Sequence, residues 1–265
     1  MSATIAIGHQ KGGVAKTTTC LSLGGALAEM GHNVLLIDLD PQANLTLSLG
    51  LDPGRLWRTV VDVLLGNDSL VGISRESGIL GLDIAPANQE LALADKVLYT
   101  RPDYQYRLRE ALDHIYPGLY DYILLDCPPA LSPLTLNALT AARLTIIPVQ
   151  CDAYAAQSLQ KTVDLIAQLG ERCNPALTYR LLVTMYDQRN KISRIILEEL
   201  QRQYGPHLLR TLIQIDTKLR ESPRYGKPIT VYAPRSRGAQ QYRALAQEVK
   251  DLMDGLAGQN EGNNG

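Results

Sequence analysis

The sequence predicts an α/β fold, a doubly wound and mostly parallel sheet flanked by helices, and three observations carry that prediction. Short, uninterrupted apolar runs recur along the chain, as strands buried on both faces require. Segments of helical period separate them, which is the order of repeated βαβ units. The first apolar run ends at Ile7 and enters a glycine-bearing loop that opens a helix at Lys16. Such a turn aims backbone N–H groups and a helix dipole at one point, and that point is an anion site.

In chain order, Leu21, Leu23, Ala26, Leu27 and Met30 give the first helix its apolar side, and Gly31 ends it. Residues 33–38 form the next buried strand and complete one βαβ unit. Further strands are expected at 80–85, 120–126, 144–149, 179–185 and 209–213. Helical patterns lie near 89–98, 104–116, 133–142, 154–169, 190–204 and 236–256. With 265 residues, 45% of them hydrophobic, and no break in composition, one domain spanning 1–257 is expected. The end, 258–265, is polar and acidic and is expected to be disordered.

Composition excludes several classes. Cys20, Cys127, Cys151 and Cys173 form no C-x-x-C pair, so neither a zinc site nor a disulfide framework is suggested. The N-terminus lacks a basic and apolar leader, and nowhere do about 18 apolar residues run together, so a soluble, intracellular protein is expected. Net charge is only −1, yet residues 180–243 hold 13 Lys/Arg against 5 Asp/Glu, while residues 1–179 hold 12 against 18. A polyanion would meet the C-terminal third.

The loop itself reads Lys11-Gly12-Gly13-Val14-Ala15-Lys16-Thr17-Thr18. Gly12 and Gly13 let the backbone close on phosphate oxygens, Lys16 adds a cation, and Thr17 offers a hydroxyl to a divalent metal. In a parallel sheet ligands bind beyond the carboxyl ends of the strands, where Asp38 and Asp40 follow the second strand and Asp126 ends a later one. Carboxylates there can serve a metal and orient a hydrolytic water.

The pattern K-G-G-x-x-K-T-T is a deviant Walker A motif and resembles that of the ParA/MinD class of P-loop ATPases. Asp38-Leu39-Asp40-Pro41-Gln42, Asp126-Cys127-Pro128-Pro129, Gly226-Lys227-Pro228 and Ser236-Arg237-Gly238 narrow the resemblance to Soj/ParA-type partition ATPases, over residues 3 to about 255. The resemblance implies ATP and Mg2+ as cofactors and an ATP-dependent homodimer. Lys11 would reach the partner's nucleotide, Lys16 the β- and γ-phosphates, and Thr18 the α-phosphate. Thr17, Asp38 and Asp126 would surround the metal, and Asp40 would attend the attacking water. Met185 and Asp187 would lie near the base.

For output the resemblance implies non-specific double-stranded DNA binding through Arg189 and Lys218. Lys191, Arg194, Arg220 and Arg224 share their basic region. It also implies a ParB-like stimulating adaptor and a cytoplasmic, nucleoid-associated protein. The helix at 190–204 is expected to bury Ile192, Ile195, Ile196 and Leu200. Rival readings keep the mechanism but move a protein cargo such as a carboxysome or chemoreceptor cluster, or cycle on a membrane as MinD does. The polar end of the chain argues against the membrane. Ala15, Ala43 and Asp152 stand where relatives commonly keep glycine, glycine and glutamate, and Gln214 and Asp216 stand where many keep proline and asparagine.

Overall fold

The computed structural model describes residues 2–66, 68–152 and 155–261. In order along the chain they form β1 (Ala3–Ile7), α1 (Lys16–Glu29), β2 (Val34–Asp38), α2 (Asn44–Leu47), α3 (Val60–Leu65) and α4 (Leu70–Ile73). Then come β3 (Arg75–Ile79), β4 (Leu82–Ala85), α5 (Leu91–Leu98), α6 (Arg107–Asp113), β5 (Tyr122–Asp126) and α7 (Pro133–Ala141). The rest is β6 (Leu144–Gln150), α8 (Ala155–Arg172), β7 (Thr178–Thr184), α9 (Lys191–Tyr204), α10 (Thr217–Glu221), α11 (Ile229–Tyr232) and α12 (Arg237–Glu261).

The seven strands make one sheet in the order β3-β4-β2-β5-β1-β6-β7, parallel except where β3 runs antiparallel to β4. Successive residues of one strand feed opposite cores. Ala6, Leu35, Ile37, Ile123 and Leu125 pack on one face. Ile5, Ile7, Leu36, Leu124 and Leu144 pack on the other, with α1 and α12. Burial on both faces is why these strands carry no polar alternation. A buried contact of 3.1 Å between the Thr19 and Tyr242 hydroxyls fastens α1 to α12.

Two expectations at the sheet edges change. Residues 75–79 form a strand whose alternate residues are exposed, so no apolar run marked it. The segment expected as a strand at 209–213 pairs with β7 only in part: the Leu209 and Ile213 N–H groups donate to the Leu181 and Val183 carbonyls at 2.9 Å each, and isolated bridges join Leu181 with Leu208 and Tyr186 with Gln214 at its margins. Side chains of α12 take other amides of this stretch. The Glu248 carboxylate accepts from the N–H groups of Arg210 and Thr211 at 2.7 and 3.0 Å, and Gln241 Oε1 accepts from Gln214 at 2.9 Å. Covering an edge in this way blocks further strand pairing.

The helix α12 continues to Glu261, four residues into the expected tail, and residues 262–265 lie outside the described ones. So does Tyr154, where the helix at 154–169 was expected to begin. On α9, Leu200 is buried as expected and Ile196 half-buried, but Ile192 and Ile195 are exposed, and Ser193 and Tyr204 face inward in their place. Cys20 and Cys127 are buried free thiols, while Cys151 and Cys173 are free and half-buried. Among the described residues no helix is long and apolar enough to cross a membrane.

Candidate functional site

The sheet register assembles the site. Ile7 and Asp38 both stand beside Asp126, so the carboxyl ends of β1, β5 and β2 form one row. The loop from Gly8 to Ala15 rises from that row and turns through two left-handed residues, Gly13 at φ 76° and Ala15 at φ 68°. The Ala15 carbonyl then accepts the first helical bond of α1, from Thr19 N–H at 2.9 Å.

Three hydrogen bonds shape the loop. His9 Nδ1 accepts from the Lys11 amide at 2.8 Å, the Thr184 hydroxyl donates to the Val14 carbonyl at 3.1 Å, and Lys16 Nζ donates to the Lys11 carbonyl at 3.2 Å. Burial, helped by the Lys16 and Lys11 charges, pushes the His9 imidazole down to about 4, so it stays neutral and its Nδ1 stays an acceptor. Nothing in the loop motif singled out His9 or Thr184; one sits before the motif and the other reaches it only through the fold.

The acidic residues divide their tasks. Asp38 is fully buried and holds the chain that follows it: Oδ2 accepts from the Thr46 amide at 2.9 Å and hydroxyl at 2.7 Å, and Oδ1 from the Asp40 amide at 3.1 Å. Burial raises its pKa to about 6 against the lowering effect of those bonds. It stands behind the cleft and positions Asp40. Asp40 lines the cleft itself and accepts from the Gln42 amide at 2.9 Å. Asp126 is fully buried, and neither of its oxygens completes a hydrogen bond. Burial and the Asp38 charge lift its pKa well above the carboxylate range, outweighing the nearby Thr17 hydroxyl and Lys16. An unsatisfied buried carboxylate beside a lysine and a threonine fits the surroundings of a divalent cation.

The loop opens onto two cavities. The larger, about 680 Å³, is bounded by Gly12, Gly13, Lys16, Thr17, Asp40 and Arg224. The smaller, about 270 Å³, is bounded by Met185, Ile213, Gln214, Asp216 and Arg220. Ala15, Thr18 and Pro223 line both, so the two are continuous across the start of α1. Together they offer a cationic end for phosphates and a more apolar end for a flat ring. Met185, at φ 50°, follows β7 and lines the smaller cavity. Asp187 lines neither cavity; its carboxylate accepts from the Arg189 guanidinium at 3.0 and 3.1 Å. Lys11 is turned from the cleft and paired with Asp152.

The basic residues of the C-terminal third do not form one uniform group. Arg189 pairs with Asp187, and Lys218 pairs with Glu221 at 2.8 Å while lying 5.8 Å over the Tyr232 ring. Lys191 and Arg194 are exposed on α9. Arg220 and Arg224, expected with the DNA-facing set, line the smaller and larger cavities respectively.

Residues 2–179 match a family described as an AAA domain. The chain is 40% identical to the sporulation initiation inhibitor protein Soj of Bacillus subtilis over 94% of this chain and 98% of that protein. It is 38% identical to the chromosome partitioning protein ParA of Caulobacter vibrioides over 92% of each. Among solved structures, one from Mycobacterium smegmatis described as cobyrinic acid a,c-diamide synthase, with bound ADP and magnesium, superposes with a TM-score of 0.82 at 37% identity over 93% of both chains. With the phosphate loop, the acidic row and the sheet order already in place, these likenesses show that the chain belongs to the ParA/Soj-type partition ATPase family of P-loop NTPases.

Proposed function

We propose that this protein is a magnesium-dependent ATPase that forms an ATP sandwich dimer, binds DNA without sequence preference and is stimulated by a ParB-like partner to segregate a chromosome or plasmid. One observation carries the nucleotide part: a two-chambered cleft in which the helix N-terminus, Lys16 and Thr17 stand with Asp40 over the unsatisfied Asp126. Among the described residues no cluster of three His, Cys, Asp or Glu could hold a metal unaided. Thr17 would offer its hydroxyl to the cation, and Asp126 would support it from behind. Bound there, Mg2+ neutralises phosphate charge.

The chain's own groups do the rest. Loop amides and Lys16 bind the phosphates. Asp38 and Thr46 hold the backbone so that Asp40 can orient a water, and the dry floor made by Asp126 and its apolar neighbours strengthens each of these contacts. Lys11, held on Asp152 in the single chain, is released to neutralise phosphate charge in a partner's site, which couples turnover to assembly.

For the output, Arg189, Lys191, Arg194 and Lys218 lie in the basic third, and dimerisation doubles the phosphates they reach. The expected result is DNA binding that needs ATP rather than ADP and weakens steeply with salt. Arg189→Ala with Lys218→Ala should lower that affinity about tenfold or more, read by fluorescence anisotropy on unrelated duplexes. Equal affinity with ATP and ADP would refute the DNA reading. Turnover that requires an amide donor and a carboxylate acceptor would favour synthase chemistry instead.

A further inference from the structure

Arg224 lies in the basic third but differs from its neighbours in what surrounds it. Its guanidinium makes no hydrogen bond or ion pair among the described residues, whereas Arg189 and Lys218 are each held by a carboxylate. It also lines the larger cavity together with Lys16, Thr17 and Asp40.

The backbone carrying it is anchored on every other side. Pro223 lies against both cavities. Gly226 closes the turn at φ 67°, so near the α2 side of the site that a Cβ there would stand 3.4 Å from the Gly50 amide nitrogen. On the outer side the Glu221 carboxylate accepts from Lys218 Nζ at 2.8 Å and from the Tyr232 hydroxyl at 2.7 Å, and the Tyr225 ring stacks on Tyr232 at 4.8 Å. A rigid segment thus presents one unpaired planar cation beside an anion site that already holds a buried lysine. An unpaired guanidinium added to a buried lysine at one cleft wall favours a ligand with more than one negative charge, and a guanidinium fork matches phosphate oxygens in pairs.

We propose that Arg224 belongs to the nucleotide site: with Lys16 it grips the phosphate chain of the bound nucleotide, and so ties the α10 segment, which carries Lys218 outward, to nucleotide occupancy. The inference rests on the nucleotide reading above and adds to it a residue that sequence position alone would assign to DNA.

The test is a titration of the full chain with MANT-ADP and magnesium. Arg224→Ala should weaken binding about tenfold, the loss of a charge-assisted pair of hydrogen bonds, and Arg224→Lys should recover part of it by keeping charge without the fork. Hydrogen exchange over residues 217–226 should slow on ADP binding in the wild type and less in Arg224→Ala. Unchanged MANT-ADP affinity in Arg224→Ala would overturn the proposal, as would lowered DNA affinity at saturating ATP analogue with MANT-ADP affinity intact. A wild-type chain that binds no MANT-ADP would instead defeat the nucleotide reading itself.

Discussion

Ala15, Ala43 and Met185 each hold a left-handed backbone, and all three lie at or next to the cleft. A side chain in that region costs about 1–2 kcal/mol, so the site keeps strain that the packed sheet beneath it supports. Ala15→Gly should stabilise the protein by about 0.5–1 kcal/mol, because the relief exceeds the added freedom of the unfolded chain. Urea denaturation checks this, and a lowered midpoint would show that the methyl is not strained.

Asp126 allows a pH prediction. Its folded pKa lies above the unfolded value, so keeping it ionised costs stability that grows as pH rises out of the carboxylate range through the folded value. Asp126→Asn removes that cost. Without metal or nucleotide the variant should exceed the wild type at pH 8 by about 1–3 kcal/mol, and the difference should shrink toward pH 4. Parallel stability profiles for the two proteins would disprove the assignment. Lys16, Thr17 and Asp126 were legible as a set because spacing and strand ends mark them. His9 and Arg224 were not, since a histidine before the motif and an arginine among many carry no pattern.

At the level of elements, α1 must lie against its neighbours as closely as its glycines permit. A Cβ on Gly25 would come within 2.5 Å of the Pro228 ring, which precedes α11, whereas one on Gly24 would meet a movable methyl of Leu36 at 2.7 Å. Gly25→Ala should therefore destabilise by about 1–2 kcal/mol, overpacking offset in part by helix propensity, and Gly24→Ala by less. Thermal unfolding that ranks the two variants the other way would contradict this packing account. The edges show why element prediction failed where it did. Residues 209–213 have the composition of a strand, and Leu209 and Ile213 do donate to β7, but Glu248 captures the Arg210 and Thr211 amides and Gln241 that of Gln214, a competition visible only once α12 is in place.

For the whole molecule, the single chain holds Lys11 on Asp152 and away from its own cleft. On the proposed mechanism Lys11→Ala should weaken ATP-dependent dimerisation about tenfold or more while leaving ADP affinity within about twofold. Size exclusion with light scattering in ATP and ADP distinguishes these, and an undiminished dimer would count against a role for Lys11 between subunits.

The sequence by itself determined the parallel fold, the loop and the two strand-end aspartates, because continuous apolar runs, glycine spacing and the carboxyl ends of strands are local signals. Only the tertiary structure decided that Asp38 braces Asp40 from behind, that Asp126 is left without a hydrogen bond, and that Arg224 faces the cleft. Those outcomes depend on register between strands far apart in the chain and on the path of the α10 segment, and no local pattern encodes which side of a turn a cation will face.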